Sequence, residues 1–83
     1  MAKKIMIVDD SVSIRQMVSF TLKSAGYETT EAVDGEDALG KSRAGQYDVV
    51  ITDQNMPRLD GIGLTKALRA SSGYRTTPIL ILT

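Results

Sequence analysis

"YDVVITDQNMPRLDG", residues 47–61, carries three signals in one stretch. Val49, Val50 and Ile51, flanked by Tyr47 and Thr52, form an apolar run of strand length rich in branched side chains. The run stops at Asp53 and gives way to Asn, Pro, Asp and Gly, residues that punctuate regular structure. Asp60 then stands where a helix N-cap belongs, ahead of Leu64, Ala67 and Leu68 at helical spacing. A buried strand that ends in an acid and leads through a turn into a helix is a repeating unit of parallel sheets.

Working outward from this stretch, the same unit recurs. Upstream, "KIMIV" (Lys4–Val8) is a short run of branched side chains cut off by Asp9-Asp10, which reads as a strand buried on both faces. Ile14, Met17, Val18, Thr21, Leu22 and Ala25 follow at steps of three and four; Ser13 with Gln16 reads as a capping box, and Gly26 sits where the helix would close. Residues 27–32, "YETTEA", alternate and carry strand formers, and Asp34 can cap a helix from about Gly35 to Ala44 that Gly45 ends. Downstream, residues 78–83, "PILILT", read as a fourth buried strand. The pattern is βαβαβαβ: an α/β fold with right-handed crossovers and a parallel sheet covered on both faces. No linker, repeat or low-complexity stretch divides residues 1–83, so a single domain is expected.

Composition removes several function classes. Ten basic and ten acidic residues cancel, and the Lys and Arg residues are scattered, so no field attracts nucleic acid or an anionic membrane. The chain has no cysteine and no histidine, which excludes disulfides, thiolate metal sites, zinc sites and histidine-based triads. The apolar start, Ile5 to Val8, is too short for a signal sequence or a membrane span. A cytoplasmic location is expected.

One motif points toward nucleotide binding. "GEDALGKS", residues 35–42, matches the phosphate-binding pattern G-x-x-x-x-G-K-[ST]. A working phosphate loop, however, leads into a substantial helix whose first amides hold the anion, and here only Arg43 and Ala44 separate Ser42 from Gly45. Glu36 and Asp37 would also lie against the triphosphate, whereas in the first turn of a helix the same acids are favourable. The segment is therefore read as a helix with Ala38 and Leu39 inward and Lys41 solvated.

The acids offer different chemistry. In a doubly wound sheet, sites form at the carboxyl ends of strands where the winding reverses. If the strands ending at Asp9-Asp10 and Asp53 are neighbours, three carboxylates meet at one edge with no histidine or arginine near in sequence to neutralise them. Such a cluster needs a cation or retained protons, and Mg²⁺ suits it as a hard ion that takes one or two carboxylates, carbonyl oxygen and water. Acids that merely end strands and open loops would give the same spacing. The residues leave both readings standing.

"IVDDS" closing the first strand, "DVVITDQNMPRLDG" around the third and "PILILT" on the fourth together resemble the CheY-like receiver domain of two-component response regulators, including its stand-alone chemotaxis members. The resemblance runs the whole length of the chain. It implies a flavodoxin-like sheet with Asp53 as phosphoacceptor, attacking the phosphorus of a phosphohistidine on a partner sensor histidine kinase. It further implies that Asp10, Asp53 and the backbone carbonyl of Asn55 ligate Mg²⁺ and that Asp9 acts through water. Thr83 would be the hydroxyl that turns toward the phosphoryl group, and Met56-Pro57 and Asp60-Gly61 would shape the loop. Such a domain is a phosphoacceptor and not a turnover enzyme. A phosphatase of the haloacid-dehalogenase type would want a second aspartate two residues beyond the nucleophile, where this chain has Asn55. A receiver-like module that binds or self-assembles without phosphorylation is the alternative.

Against the family's strand order 2-1-3-4-5, the pattern here stops at 2-1-3-4, without the fifth strand, the lysine at its end, or the last two helices. The fourth strand is then expected at a sheet edge and part of the first helix's face is expected to lie open. Both would favour a homo-oligomer that covers the apolar surface.

Overall fold

The computed structural model describes residues 2–82. The elements run β1 (Lys4–Val8), α1 (Val12–Ser24), β2 (Glu28–Ala32), α2 (Gly35–Ala44), β3 (Val49–Asp53), α3 (Gly61–Arg69), a 3-10 turn (Ser72–Tyr74) and β4 (Ile79–Leu82). The four strands are all parallel in the order β2-β1-β3-β4. That is the order and element pattern expected from the sequence.

β1 is central and buried on both faces, with Ile5, Met6, Ile7 and Val8 all sequestered from solvent. Strand alternation divides the sheet's side chains between two layers. Met6, Val8, Val50 and Ala32 pack with Ala38 of α2 and Leu64 and Leu68 of α3 into one core. Tyr74, from the 3-10 turn, joins this core and places its hydroxyl 2.9 Å from the carbonyl oxygens of both Ser42 and Gly45. Its ring thereby ties the end of α2 to the approach of β4, and burial pushes its phenol pKa up.

Among the described residues, the other layer holds α1 alone, over β1 and β2. Two expectations about this helix are corrected. Ser11, not Ser13, is its N-cap, accepting the Ile14 amide at 3.4 Å. The reason is the preceding turn: the Asp9 carboxylate accepts the Ser11 amide at 2.8 Å and bends the chain into the helix early, leaving Ser13 inside the first turn. The expected apolar face is also displaced. Val18 and Leu22 are half-buried, but Ile14 and Met17 are exposed, and Arg15 and Ser19 are the buried residues. Both reach polar groups of β2: Arg15 Nε donates to Glu31 at 2.9 Å, and the Ser19 and Thr29 hydroxyls lie 2.7 Å apart. α1 closes as expected at Gly26, whose φ of 96° suits glycine, with the Tyr27 amide donating to the Leu22 carbonyl.

Because α1 covers only the β2–β1 side, the sheet is not covered on both faces throughout. A groove of about 560 Å³ lies open beside α1, floored by Ile5, Val49, Ile51 and Leu80 and bounded by Leu22 and Tyr27. Leu80 and Leu82 of β4 are 53% and 49% exposed. Among the described residues no strand pairs with the outer edge of β4.

Candidate metal and phosphoryl site

β1 and β3 are adjacent and in parallel register, with Val8 opposite Thr52. Each strand's next residue or residues therefore emerge at the same edge of the sheet. Asp9, Asp10 and Asp53 converge there, with one carboxylate oxygen of each within 4.8 Å of the other two. Among the described residues, no Lys or Arg forms an ion pair with any of the three. Three hard oxygen donors this close, with no internal counter-charge, fit a divalent cation of the Mg²⁺ type.

The loops that carry these acids are held by backbone bonds. Asp9 is buried; its amide donates to the Ala32 carbonyl at 3.1 Å, and its own carbonyl accepts Arg15 Nη1 at 2.8 Å. Asp53 accepts the Gln54 amide at 2.9 Å through Oδ1. Asp10 is exposed and directs no hydrogen bond into the protein among the described residues. Asn55 is exposed on the loop two residues beyond Asp53, and among the described residues no hydrogen bond engages its carbonyl. Thr83 lies outside the described residues.

The rest of the 53–61 loop is more tightly built than turn chemistry alone suggests. Asp60 caps α3 by accepting the Gly63 amide at 2.8 Å, as expected from its position. Gln54 does unanticipated work: its Nε2 donates to Asp60 at 3.1 Å and its Oε1 accepts the Ile62 amide at 2.9 Å. Met56 packs against the core, with its sulfur 4.0 Å from the Thr52 hydroxyl. Arg58 pairs through its guanidinium with Asp34, which is buried at the start of α2. Hydrogen bonding to the Asp37 amide, reinforced by Arg58, holds the Asp34 carboxyl below the usual carboxylate pKa. Neither Gln54 nor the Arg58–Asp34 pair was foreseen: Gln54 bonds residues 6 and 8 positions on, and Arg58 bonds one 24 positions back, separations that leave no periodic signal.

Residues 35–42 lie wholly within α2. Lys41 Nζ donates to the Glu31 carbonyl at 2.6 Å and to Asp37 at 3.2 Å, so its ammonium is engaged by the fold while the side chain stays 40% exposed. A helix that begins at Gly35 leaves no loop to wrap a phosphate.

Residues 5–83 match the family model for the response regulator receiver domain. The chain belongs to that family. It is 42% identical over 81 residues to the chemotaxis protein CheY-3 of Vibrio cholerae, covering 96% of this chain and 62% of that protein. A similar identity, 42%, relates it to a probable transcriptional regulator, ycf27, of Cyanophora paradoxa, covering 98% of this chain and 33% of that protein. The chain thus spans less than two thirds of the curated relatives' length. Among solved structures, the Vibrio cholerae chemotaxis protein CheY4 superposes with a TM-score of 0.95 at 51% identity, covering 98% of this chain and 68% of the other. The receiver domain of a Pseudomonas aeruginosa sensor histidine kinase, solved with a magnesium ion in its active-site cleft, superposes at 0.94 with 31% identity, over 100% of this chain and 68% of that one. No helix among the described residues is long and apolar enough to cross a membrane.

Proposed function

We propose that residues 1–83 act as a single receiver segment in which Asp53 accepts a phosphoryl group from a phosphohistidine of a sensor histidine kinase. The observation that carries this reading is the convergence of Asp9, Asp10 and Asp53 within 4.8 Å at the carboxyl edge of two neighbouring parallel strands. The magnesium-bearing receiver of the Pseudomonas kinase supports it. Asp10 and Asp53, with the Asn55 carbonyl, would hold Mg²⁺ directly, and Asp9 would reach it through water. The ion would supply charge neutralisation across the transferring phosphoryl group.

The chain's own part is nucleophilic. An Asp53 carboxylate oxygen attacks phosphorus, the phosphorus–nitrogen bond breaks with its electron pair returning to the imidazole, and an acyl phosphate remains on Asp53. The phosphoryl-sensing role expected of Thr83 is part of the same reading. The absence of histidine fits, because the donor belongs to another protein. A cytoplasmic site of action, without nucleic acid or membrane, is part of the same proposal.

Incubation with acetyl phosphate and Mg²⁺ followed by mass spectrometry tests the reading. A single phosphoryl adduct, lost in Asp53→Asn, is the expected result. Turnover of phosphomonoesters would indicate a phosphatase, and no adduct at all a module that keeps the fold without the chemistry. The open groove beside α1 and the exposed Leu80 and Leu82 favour a second property alongside phosphotransfer, self-association of the chain through this apolar surface.

A further inference from the structure

Arg58 has a φ of 69°. The left-handed region is costly for a residue with a Cβ and is ordinarily left to Gly, Asn or Asp. Across Arg58 the Leu59 amide donates to the Pro57 carbonyl at 2.8 Å, closing a three-residue γ-turn, whose positive-φ form is the strained one. A strained turn persists only where its surroundings enforce it.

The enforcing group is Asp34. Arg58 Nε donates to Asp34 Oδ2 at 2.7 Å and Nη2 bonds the same oxygen, while Oδ1 accepts the Asp37 amide at 2.8 Å. Asp34 is only 2% exposed, so its carboxylate is fixed by α2 on one side and by Arg58 on the other. Gly35 adds a steric seat: a Cβ there would collide with the Leu59 carbonyl and Cβ, so the turn rests directly on the first residue of α2. Asp34 follows β2, and Arg58 follows β3. The pair therefore staples together two loops at the same edge of the sheet.

Residues 54–57 lie between two anchors. Asp53 is held in the β3–β4 ladder opposite Leu82, and Arg58 is held by Asp34. We propose that Arg58, acting through Asp34, is a positioning residue for the phosphoacceptor loop, fixing the backbone of residues 54–57 and with it the Asn55 carbonyl that the receiver reading assigns to Mg²⁺. This rests on the receiver reading above. Arg58 does not touch the metal or the phosphoryl group; it sets the geometry of a backbone donor that does.

Arg58→Gly isolates the effect, because glycine tolerates the positive φ and deletes the pair, whereas Arg58→Lys keeps the charge without the fork. Two measurements on the whole chain are made: calorimetric Mg²⁺ affinity, and amide hydrogen exchange of the metal-free protein. In Arg58→Gly the Mg²⁺ affinity should fall about tenfold, the scale on which groups behind a ligand act. Exchange at Leu59 should quicken while the β1 amides stay unchanged, and Arg58→Lys should fall between. Unchanged affinity in Arg58→Gly, with a wild type that does bind Mg²⁺, overturns the positioning role alone. Unchanged Leu59 exchange overturns the staple. A wild type that binds no Mg²⁺ overturns the receiver reading, and the positioning role with it.

Discussion

Gly61 stands directly against Asp53: a Cβ built on it would lie 2.6 Å from the Asp53 carbonyl oxygen and 3.1 Å from the Gln54 Cα. Its amide also donates to the Gln54 carbonyl at 3.1 Å. The loop after β3 thus folds back so closely that the first residue of α3 has no room for a side chain. Gly61→Ala must push this backbone apart, and overpacking of this kind costs about 1–3 kcal/mol. Urea denaturation should show that loss together with weakened Mg²⁺ binding, since Asp53 is the residue displaced. Unchanged stability would mean the loop relaxes freely.

Asp10 is exposed and unpaired among the described residues, unlike Asp9, so its carboxylate is the one most free to serve a cation. Asp10→Asn removes a charge without removing a structural bond. Mg²⁺ affinity measured by calorimetry should fall at least about tenfold, while the melting temperature without metal stays the same or rises as like charges separate. Equal affinity in the variant would place the ion elsewhere.

Asp34 gives a pH signature. Its carboxyl pKa is depressed in the fold, mainly by the Asp37 amide and then by Arg58. A depressed acid stabilises above its unfolded pKa and loses that contribution as pH falls through the folded value. Asp34→Asn keeps an oxygen that can cap α2 but has no charge to titrate. The stability gap between wild type and Asp34→Asn, from denaturant titrations, should be constant near neutral pH and close progressively below about pH 4. A gap that persists at pH 2 would show that the cap geometry, not the charge, is what matters.

The open groove predicts association. Sedimentation across a concentration series should show the average mass rising with concentration, and Leu80→Lys, which places a charge on the 53% exposed groove residue, should shift the chain toward monomer. A wild type that remains monomeric at high micromolar concentration would remove this surface as an interface between copies.

The order of elements and the acids at the sheet edge were legible because their causes are local in sequence. The apolar run that ends at Asp53, the caps Asp34 and Asp60, and the closing Gly26 each act on their own neighbours, and each appears in the fold close to where the sequence pointed. Neighbouring β1 and β3 could be inferred only from the fold class, yet once adjacent, two strands ending in acids must bring those acids together. What the tertiary structure decided rests, the Asp9–Ser11 turn apart, on side chains that bond outside their own helix, strand or turn. Ser11 replaced Ser13 as cap because Asp9 bends the turn before it. Arg15 and Ser19 turned inward, against the apolar pattern of α1, because β2 offered Glu31 and Thr29. Lys41, Gln54 and the Arg58–Asp34 pair found their roles the same way. A hydrogen bond that leaves its own element, from 6 positions away for Gln54–Asp60 to 24 for Arg58–Asp34, has no periodicity to announce it, so it becomes visible only when packing sets the two segments side by side.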